Sequence, residues 1–380
     1  MEGGGTPRLN AAFLRSAHGW PYLLVPLIPA AVALELAHAE AGLVFAAAAL
    51  GIIPTAALMG RATEELAARS GPGIGGLLNV TFGNAPELII ALFALSQGLH
   101  EVVKASIVGS ILGNILLVLG ASMLVGGLKR DKQTFSRTAA GVQTTMLLLA
   151  AAALIMPAIF ELVEGQGLPS PGAEAINYDS TVEKLSLAVA IVLMATYVAG
   201  LVFSLKTHKD IFNPHHEAAA GEEDELWGWS VRASMIALFV AGLLVGLMSE
   251  VLVGSIGEAS EAVGLSEFFI GVIVVAIVGN AAEHWVAVLV AAKDKMDLAV
   301  NIAIGSSAQI ALFVAPVLVF ASFFLGPFPL ALVFNGFELG AILIAIMIAN
   351  YVAQDGESNW FEGLQLLALY AVLGLAFYYA

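Results

Sequence analysis

The sequence predicts an all-α polytopic membrane protein of about eleven transmembrane helices, one N-terminal helix followed by two inverted-topology repeats of five helices. Three observations carry this prediction. The 380 residues are 59% hydrophobic and only 12% charged, where a soluble domain carries about 25% charged residues. The apolar residues gather into runs of about 20–28, enough to cross about 30 Å of hydrocarbon at 1.5 Å per residue. One polar motif lies inside two of those runs: Gly83-Asn84-Ala85-Pro86-Glu87 returns as Gly279-Asn280-Ala281-Ala282-Glu283, 196 positions later.

The runs fall at roughly 20–39, 42–68, 73–97, 100–126, 135–160, 181–206, 229–254, 266–292, 296–322, 328–350 and 359–380. Basic residues orient them, because cytoplasmic loops are enriched in Lys and Arg. With the N-terminus inside, 13 of the 15 basic residues fall in cytoplasmic segments, leaving only Lys104 and Lys184 outside. The N-terminus is therefore expected in the cytoplasm and the C-terminus outside. The first run lacks a cleavable-signal pattern and reads as a retained helix. With this orientation the Glu87 span runs outward and the Glu283 span inward, so the duplication is inverted. Residues 1–41 form the N-terminal segment and first span, 42–206 the first repeat, 207–226 an acidic cytoplasmic linker and 227–380 the second repeat. Such repeats are common in transporters, with the site near the midplane between them.

Other classes are excluded by composition. Cysteine is absent, which removes disulfides and thiolate chemistry, and a net charge of −15 argues against a nucleic-acid partner. His215-His216-Glu217 lacks HExxH spacing, and with no Gly-x-Ser-x-Gly or paired-Asp motif the chain is not expected to be an enzyme. No resident cofactor is expected. The lipid bilayer is the expected surrounding, and a homo-oligomer is compatible with the sequence.

Charged groups at the centre of a spanning helix cost roughly 3 kcal/mol or more, so two intramembrane glutamates in matching places point to function. Asn84 and Glu87 are spaced i, i+3 and share a helical face, as do Asn280 and Glu283. One span later, Ser110 and Asn114 are spaced i, i+4, and Ser306 and Gln309 i, i+3. Four helices can thus aim oxygen atoms at one place. Two carboxylates with amide, hydroxyl and backbone oxygens suit a hard divalent cation such as Ca2+, which takes 6–8 oxygen ligands. Pro86 cannot donate to the carbonyl four residues back, that of Phe82, which adds a backbone oxygen; Ala282 takes the matching place in the second repeat, so an asymmetric site is expected. Gly75, Gly76, Gly83, Gly271 and Gly279 read as close helix contacts. Glu338, near Asn335, reads as a hydrogen-bonding group between helices, with a proton relay as the alternative. Glu64, Glu65, Glu250, Glu258 and Glu261 fall toward the membrane faces, where they would draw cations, and His284 reads as a packing or hydrogen-bonding residue. The linker carries Glu217, Glu222, Glu223, Asp224 and Glu225, read as a solvated segment, with cation-sensing regulation by Glu222, Glu223, Asp224 and Glu225 as the sharper alternative.

At these residues the sequence resembles the calcium/proton antiporter (CAX) family of the cation/calcium exchanger superfamily. GNAPELIIAL and GNAAEHWVAV are similar to its two signature repeats, and GSILGNILLVLG and GSSAQIALFVAP to the segments that follow them. The resemblance spans about 42 to 380. It implies one extra N-terminal helix plus two inverted five-helix repeats, and Glu87 and Glu283 as central ligands with Asn84, Asn280, Ser110, Ser306, Asn114 and Gln309 nearby. The sodium/calcium branch typically has Thr-Ser near the glutamate where this chain has Gly-Asn, which implies protons as the counter-ion. The resemblance implies secondary Ca2+/H+ antiport by alternating access, Glu87 and Glu283 binding Ca2+ or protons in competition. The short N-terminus differs from the long autoinhibitory extension of some plant members. The high Ala and Gly content suits a prokaryotic cell membrane, with a vacuolar membrane as the alternative.

Overall fold

The computed structural model describes residues 13, 19–171, 177–208 and 227–380. Its helices are α1 (Leu27–Leu36, entered by a 3-10 turn Trp20–Leu24), α2 (Ala41–Phe82), α3 (Ala85–Ser96), α4 (His100–Gly127), α5 (Arg137–Val163), α6 (Ser180–Thr207), α7 (Val231–Gly254), α8 (Ile256–Val263), α9 (Glu267–Ala292), α10 (Met296–Ser322), α11 (Gly336–Val352) and α12 (Trp360–Tyr379). Among the described residues, eight helical stretches are long and apolar enough to cross a bilayer, α2 contributing Ala41–Ser70. Three shorter apolar helical segments, Trp20–Leu36, Ala85–Ser96 and Gly336–Val352, coincide with the first, third and tenth predicted spans. Each predicted span therefore has a helix, but length alone supports eight crossings rather than eleven.

Local chemistry sets several boundaries. Ser136, Asp179 and Ser230 cap α5, α6 and α7 by accepting backbone N–H groups of the first turn. The Val182 and Thr181 amides hold the Asp179 carboxyl below the usual carboxylate range. Asn335 with Glu338, and Asn359 with Glu362, form capping boxes that start α11 and α12. Toward its end α2 folds back on itself. Gly75 lies against the carbonyl of Ala67, eight residues earlier, whereas eight residues of straight helix would span about 12 Å. The close approach needs a residue without Cβ.

α4 and α10 are the most enclosed spans, and α6 and α12 the most open, so the first pair are the pillars of the bundle. α4 meets α9 where Gly109 abuts the Val272 carbonyl and Gly271 faces Ala105, a Cβ there standing 2.9 Å from the Ala105 methyl. Exposed large apolar side chains such as Ile191, Val192, Phe239, Leu243, Val372 and Leu375 line α6, α7 and α12, as a lipid-facing surface requires. At one end of the bundle a two-residue antiparallel ladder joins Gln133–Thr134 (β1) to Glu357–Ser358 (β2), with an ion pair from Lys132 to Glu357 at 2.6 Å.

Two expectations are corrected here. The predicted span 328–350 is not helical at its start. Residues 329–335 form no helix or strand, and Leu330 to Asn335 are buried. Buried non-helical backbone must find partners within the protein. Leu330 N–H donates to Ser322 Oγ and Leu332 N–H to Ser186 Oγ, each within 2.9 Å, while the Val333 carbonyl accepts from Lys104 Nζ at 2.8 Å. Asn335 N–H donates to Glu338 Oε2 at 2.8 Å, so Glu338 binds its own helix cap rather than a neighbouring helix.

Glu65 is the second correction. It is fully buried and accepts the backbone N–H groups of Trp227 and, at 3.0 Å, Trp229, with Arg69 and Arg61 within 4.0 Å. It is an anchor and not a cation-attracting surface group, in contrast to the exposed Glu64, Glu250, Glu258 and Glu261. Glu65→Ala strands those donors. It is expected to cost about 1–3 kcal/mol, read as a lower thermal midpoint in detergent; an unchanged midpoint would remove the anchoring role. The linker acids Glu217, Glu222, Glu223, Asp224 and Glu225, with His215 and His216, lie outside the described residues.

Candidate ion-binding site

The two motif copies do not fold alike. α2 ends at Phe82, two turn residues follow, and α3 restarts at Ala85 with Pro86 in its first turn. A proline is favourable there, because the N–H it lacks would have no helical partner. Pro86 therefore starts a helix instead of interrupting one, and Phe82 is the residue just before the break. In the second copy α9 runs helically through Gly279, Asn280 and Glu283, with a π-helical stretch Ile270–Val275 one turn earlier. The expected asymmetry between the copies is present in the backbone.

The carboxylates cross reciprocally. A Cβ on Gly83 would stand 3.3 Å from Glu283 Oε1, and a Cβ on Gly279 would stand 3.3 Å from Glu87 Oε1. Each motif's glycine leaves room for the other motif's acid, so these two glycines shape the site as well as helix packing. The two acids interact electrostatically, and Glu64 acts on Glu283 as well. Both side chains are half-buried, whereas Asn84 and Asn280 are 1% exposed.

The amides cross in the same way. Asn84 Nδ2 donates to Gln309 Oε1 on α10 at 2.6 Å, and Asn280 Nδ2 donates to Ser110 Oγ on α4 at 3.3 Å. With the NH2 groups held, Asn84 Oδ1 and Asn280 Oδ1 have no hydrogen-bond partner among the described residues, and neither has Glu87 Oε2. Ser306 Oγ donates to Glu283 Oε2 at 3.2 Å. Both pillars turn π-helical beside these residues, at Gly113–Val118 in α4 and Ile310–Val314 in α10. Such bulges are frequent at functional sites because they re-aim side chains.

The structure thus brings Asn84, Glu87, Ser110, Asn280, Glu283, Ser306 and Gln309 into one region. It places Asn114 differently: Asn114 Oδ1 faces His284 Nε2 at 3.2 Å, so its oxygen is already engaged. His284 was legible only as a bonding histidine, since its partner lies 170 positions away. Buried carboxylate and carboxamide oxygens without donors offer what a hard cation takes and a protein interior otherwise avoids. A proton on Glu87 would also satisfy the orphaned oxygen.

An all-α membrane protein with two acids and two open amide oxygens enclosed between its central helices is built as a cation transporter. The chain belongs to the sodium/calcium exchanger protein family, whose model matches residues 41–206 and 233–379. It is 46% identical over 352 residues to the Ca(2+)/H(+) antiporter ChaA of Bacillus subtilis (strain 168), covering 92% of this chain and 96% of that protein. Its identity to the vacuolar calcium ion transporter of Schizosaccharomyces pombe is 41% over 330 residues, covering 87% of this chain and 77% of that protein. Among solved structures, native YfkE is 40% identical with a TM-score of 0.78, covering 95% of this chain and 100% of that one. The H+/Ca2+ exchanger CAX, 14% identical at a TM-score of 0.66 over 96% of this chain and 93% of that one, shares the fold. The protein is an integral membrane transporter.

Proposed function

We propose that this chain is a Ca2+/H+ antiporter that exports Ca2+ from the cytosol in exchange for protons by alternating access. The observation that carries the reading is the reciprocal placement of Glu87 against Gly279 and Glu283 against Gly83, beside buried amide oxygens that lack donors. The relatives at 41–46% identity, a Ca(2+)/H(+) antiporter and a vacuolar calcium ion transporter, agree with it. Glu87 and Glu283 bind the cation when ionised and release it when protonated. Asn84 and Asn280 add amide oxygens, and the Phe82 carbonyl at the helix break adds a backbone oxygen. Ser110 and Gln309 hold the two amides in register. Ser306 orients Glu283, and Asn114 with His284 supports the same wall. The reciprocal contacts support reading 42–206 and 227–380 as inverted repeats, and the distribution of Lys and Arg supports an N-terminus in the cytoplasm. Neither a resident cofactor nor an enzymatic step belongs to this reading.

The test is Ca2+ flux in proteoliposomes under an imposed pH gradient, with and without sodium. Flux driven by the pH gradient alone supports the proposal; flux that requires a sodium gradient overturns it in favour of sodium/calcium exchange. Within the site, Ser110→Ala and Gln309→Ala are expected to weaken Ca2+ affinity by about 10–100-fold, as loss of an orienting partner does at metal sites. Equilibrium binding of radioactive Ca2+ checks this, and unchanged affinity in both variants would remove their positioning role. Neutralising Glu222, Glu223, Asp224 and Glu225 is expected to shift apparent Ca2+ affinity only modestly, because the linker lies outside the spans. Complete loss of flux in a folded variant would contradict that.

A further inference from the structure

A second set of ionisable groups is buried away from the Glu87–Glu283 pair and takes no part in the reading above. It lies at the N-terminal ends of α4 and α11, which pack against each other. Lys104 is 1% exposed, yet its Nζ is 2.5 Å from Glu101 Oε1 and 2.8 Å from the Val333 carbonyl. Glu101 is 8% exposed and Glu338 fully buried. Glu338 is close enough to both Lys104 and Glu101 to interact with them electrostatically. The arrangement therefore holds two carboxyls and one ammonium.

Its charge does not balance when all three are ionised. Buried charge is tolerated only when paired, and an uncompensated charge here would be costly. Glu338 Oε2 is occupied by the Asn335 N–H and Glu101 Oε1 by Lys104, but Glu338 Oε1 and Glu101 Oε2 are buried with no partner among the described residues. One proton, carried on either carboxyl, brings the set to neutrality and turns one of these orphaned acceptors into a donor.

A cavity of about 330 Å3 is lined by Glu161, Gln166, Tyr178 and Asp179 among others. Burial pushes the Tyr178 phenol up from its ordinary range, and the charges of Glu101, Glu161 and Glu338 add to the shift. The remaining ionisable neighbour is His100 on α4, whose ring packs on Phe328 with centroids 4.5 Å apart.

We propose that Glu101, Lys104 and Glu338 form a second proton-binding site, holding one exchangeable proton between the two carboxyls. Uptake adds H+ to a carboxylate oxygen and release returns it to water; no other bond changes. The proton also bears on the irregular segment 329–335, because Lys104 and Glu338 are two of the groups that satisfy its backbone. The inference does not depend on the identity of the transported cation.

The experiment is infrared titration of the full chain carrying Glu87→Gln and Glu283→Gln, which silences the central pair. A protonated-carboxyl C=O band is expected to remain and to titrate as one group. Adding Glu338→Gln or, in a separate protein, Glu101→Gln is expected to abolish it, since the remaining acid then pairs with Lys104 and holds no proton. Adding Lys104→Met is expected to roughly double the band, since two carboxyls then need protons. Glu338 also caps α11, so the Glu101 variant keeps the test open should the Glu338 variant fail to fold. Absence of the band at every pH above about 6, where ordinary carboxyls are ionised, in the central-pair variant, or its persistence unchanged in the Glu101 variant, would overturn the proposal.

Discussion

Glu87→Gln and Glu283→Gln are each expected to abolish Ca2+ exchange while leaving the protein folded. The amide is nearly the same size as the carboxylate, and the spaces beside Gly279 and Gly83 that admit one admit the other. At position 283 the amide oxygen can still accept from Ser306. What is lost is a negative charge facing a divalent cation in a water-poor site, where an interaction between charges is far stronger than in bulk water. The same change removes a titratable group, so neither half of the exchange cycle survives. Ca2+ uptake into everted vesicles, paired with a gel-filtration profile, separates loss of transport from loss of fold. Either variant exchanging at the wild-type rate would remove its acid from the site.

Apparent Ca2+ affinity is expected to fall as the side facing the site is acidified, by up to roughly a hundredfold per pH unit. The sign follows from mass action. Protons bind the cation-free form, whereas bound Ca2+ holds both carboxyls ionised, so each proton carried by the cation-free form must leave when Ca2+ binds. Two protons per ion set the upper slope, and one proton would give about tenfold. The acids titrate as a coupled pair, so neither step belongs to one residue. Equilibrium Ca2+ binding between pH 5 and 8 reads the slope, and an affinity independent of pH would break the link between proton and cation.

Much of the bundle was legible because hydrocarbon imposes a simple rule: a run of apolar residues about 20 long must hide its backbone in a helix. That rule places α4, α5, α6, α7, α9, α10 and α12 within a few residues of the expected spans. It fails where the protein, not lipid, surrounds the chain. Leu330 to Phe334 is apolar enough to continue a helix, yet it is irregular, with Ser186, Ser322 and Lys104 satisfying its backbone. The signals were present locally: Gly326-Pro327-Phe328-Pro329 resists a helix, and Asn335 followed by Glu338 reads as a capping box.

The site was legible in its residue types because the motif is duplicated, but not in its pairings. Spacing puts Asn84 and Glu87 on one face; it does not reveal that Gln309 holds the Asn84 amide from 225 positions away, or that Asn114 is engaged by His284. The glycines illustrate the same limit. A glycine in a span reads as helix packing, whereas Gly83 and Gly279 accommodate a carboxylate from the opposite motif. Glu65 reads as a surface acid because it sits near Arg61, Glu64 and Arg69; only tertiary structure brings Trp227 and Trp229 onto it.

The central claim is that Ca2+ and protons compete for Glu87 and Glu283. Isothermal calorimetry of Ca2+ binding in two buffers of different ionisation enthalpy counts the protons released per ion. At a pH where the cation-free acids hold protons, the account predicts a release that approaches two protons per ion. Ca2+ binding with no proton release at any pH between 5 and 8 would contradict it.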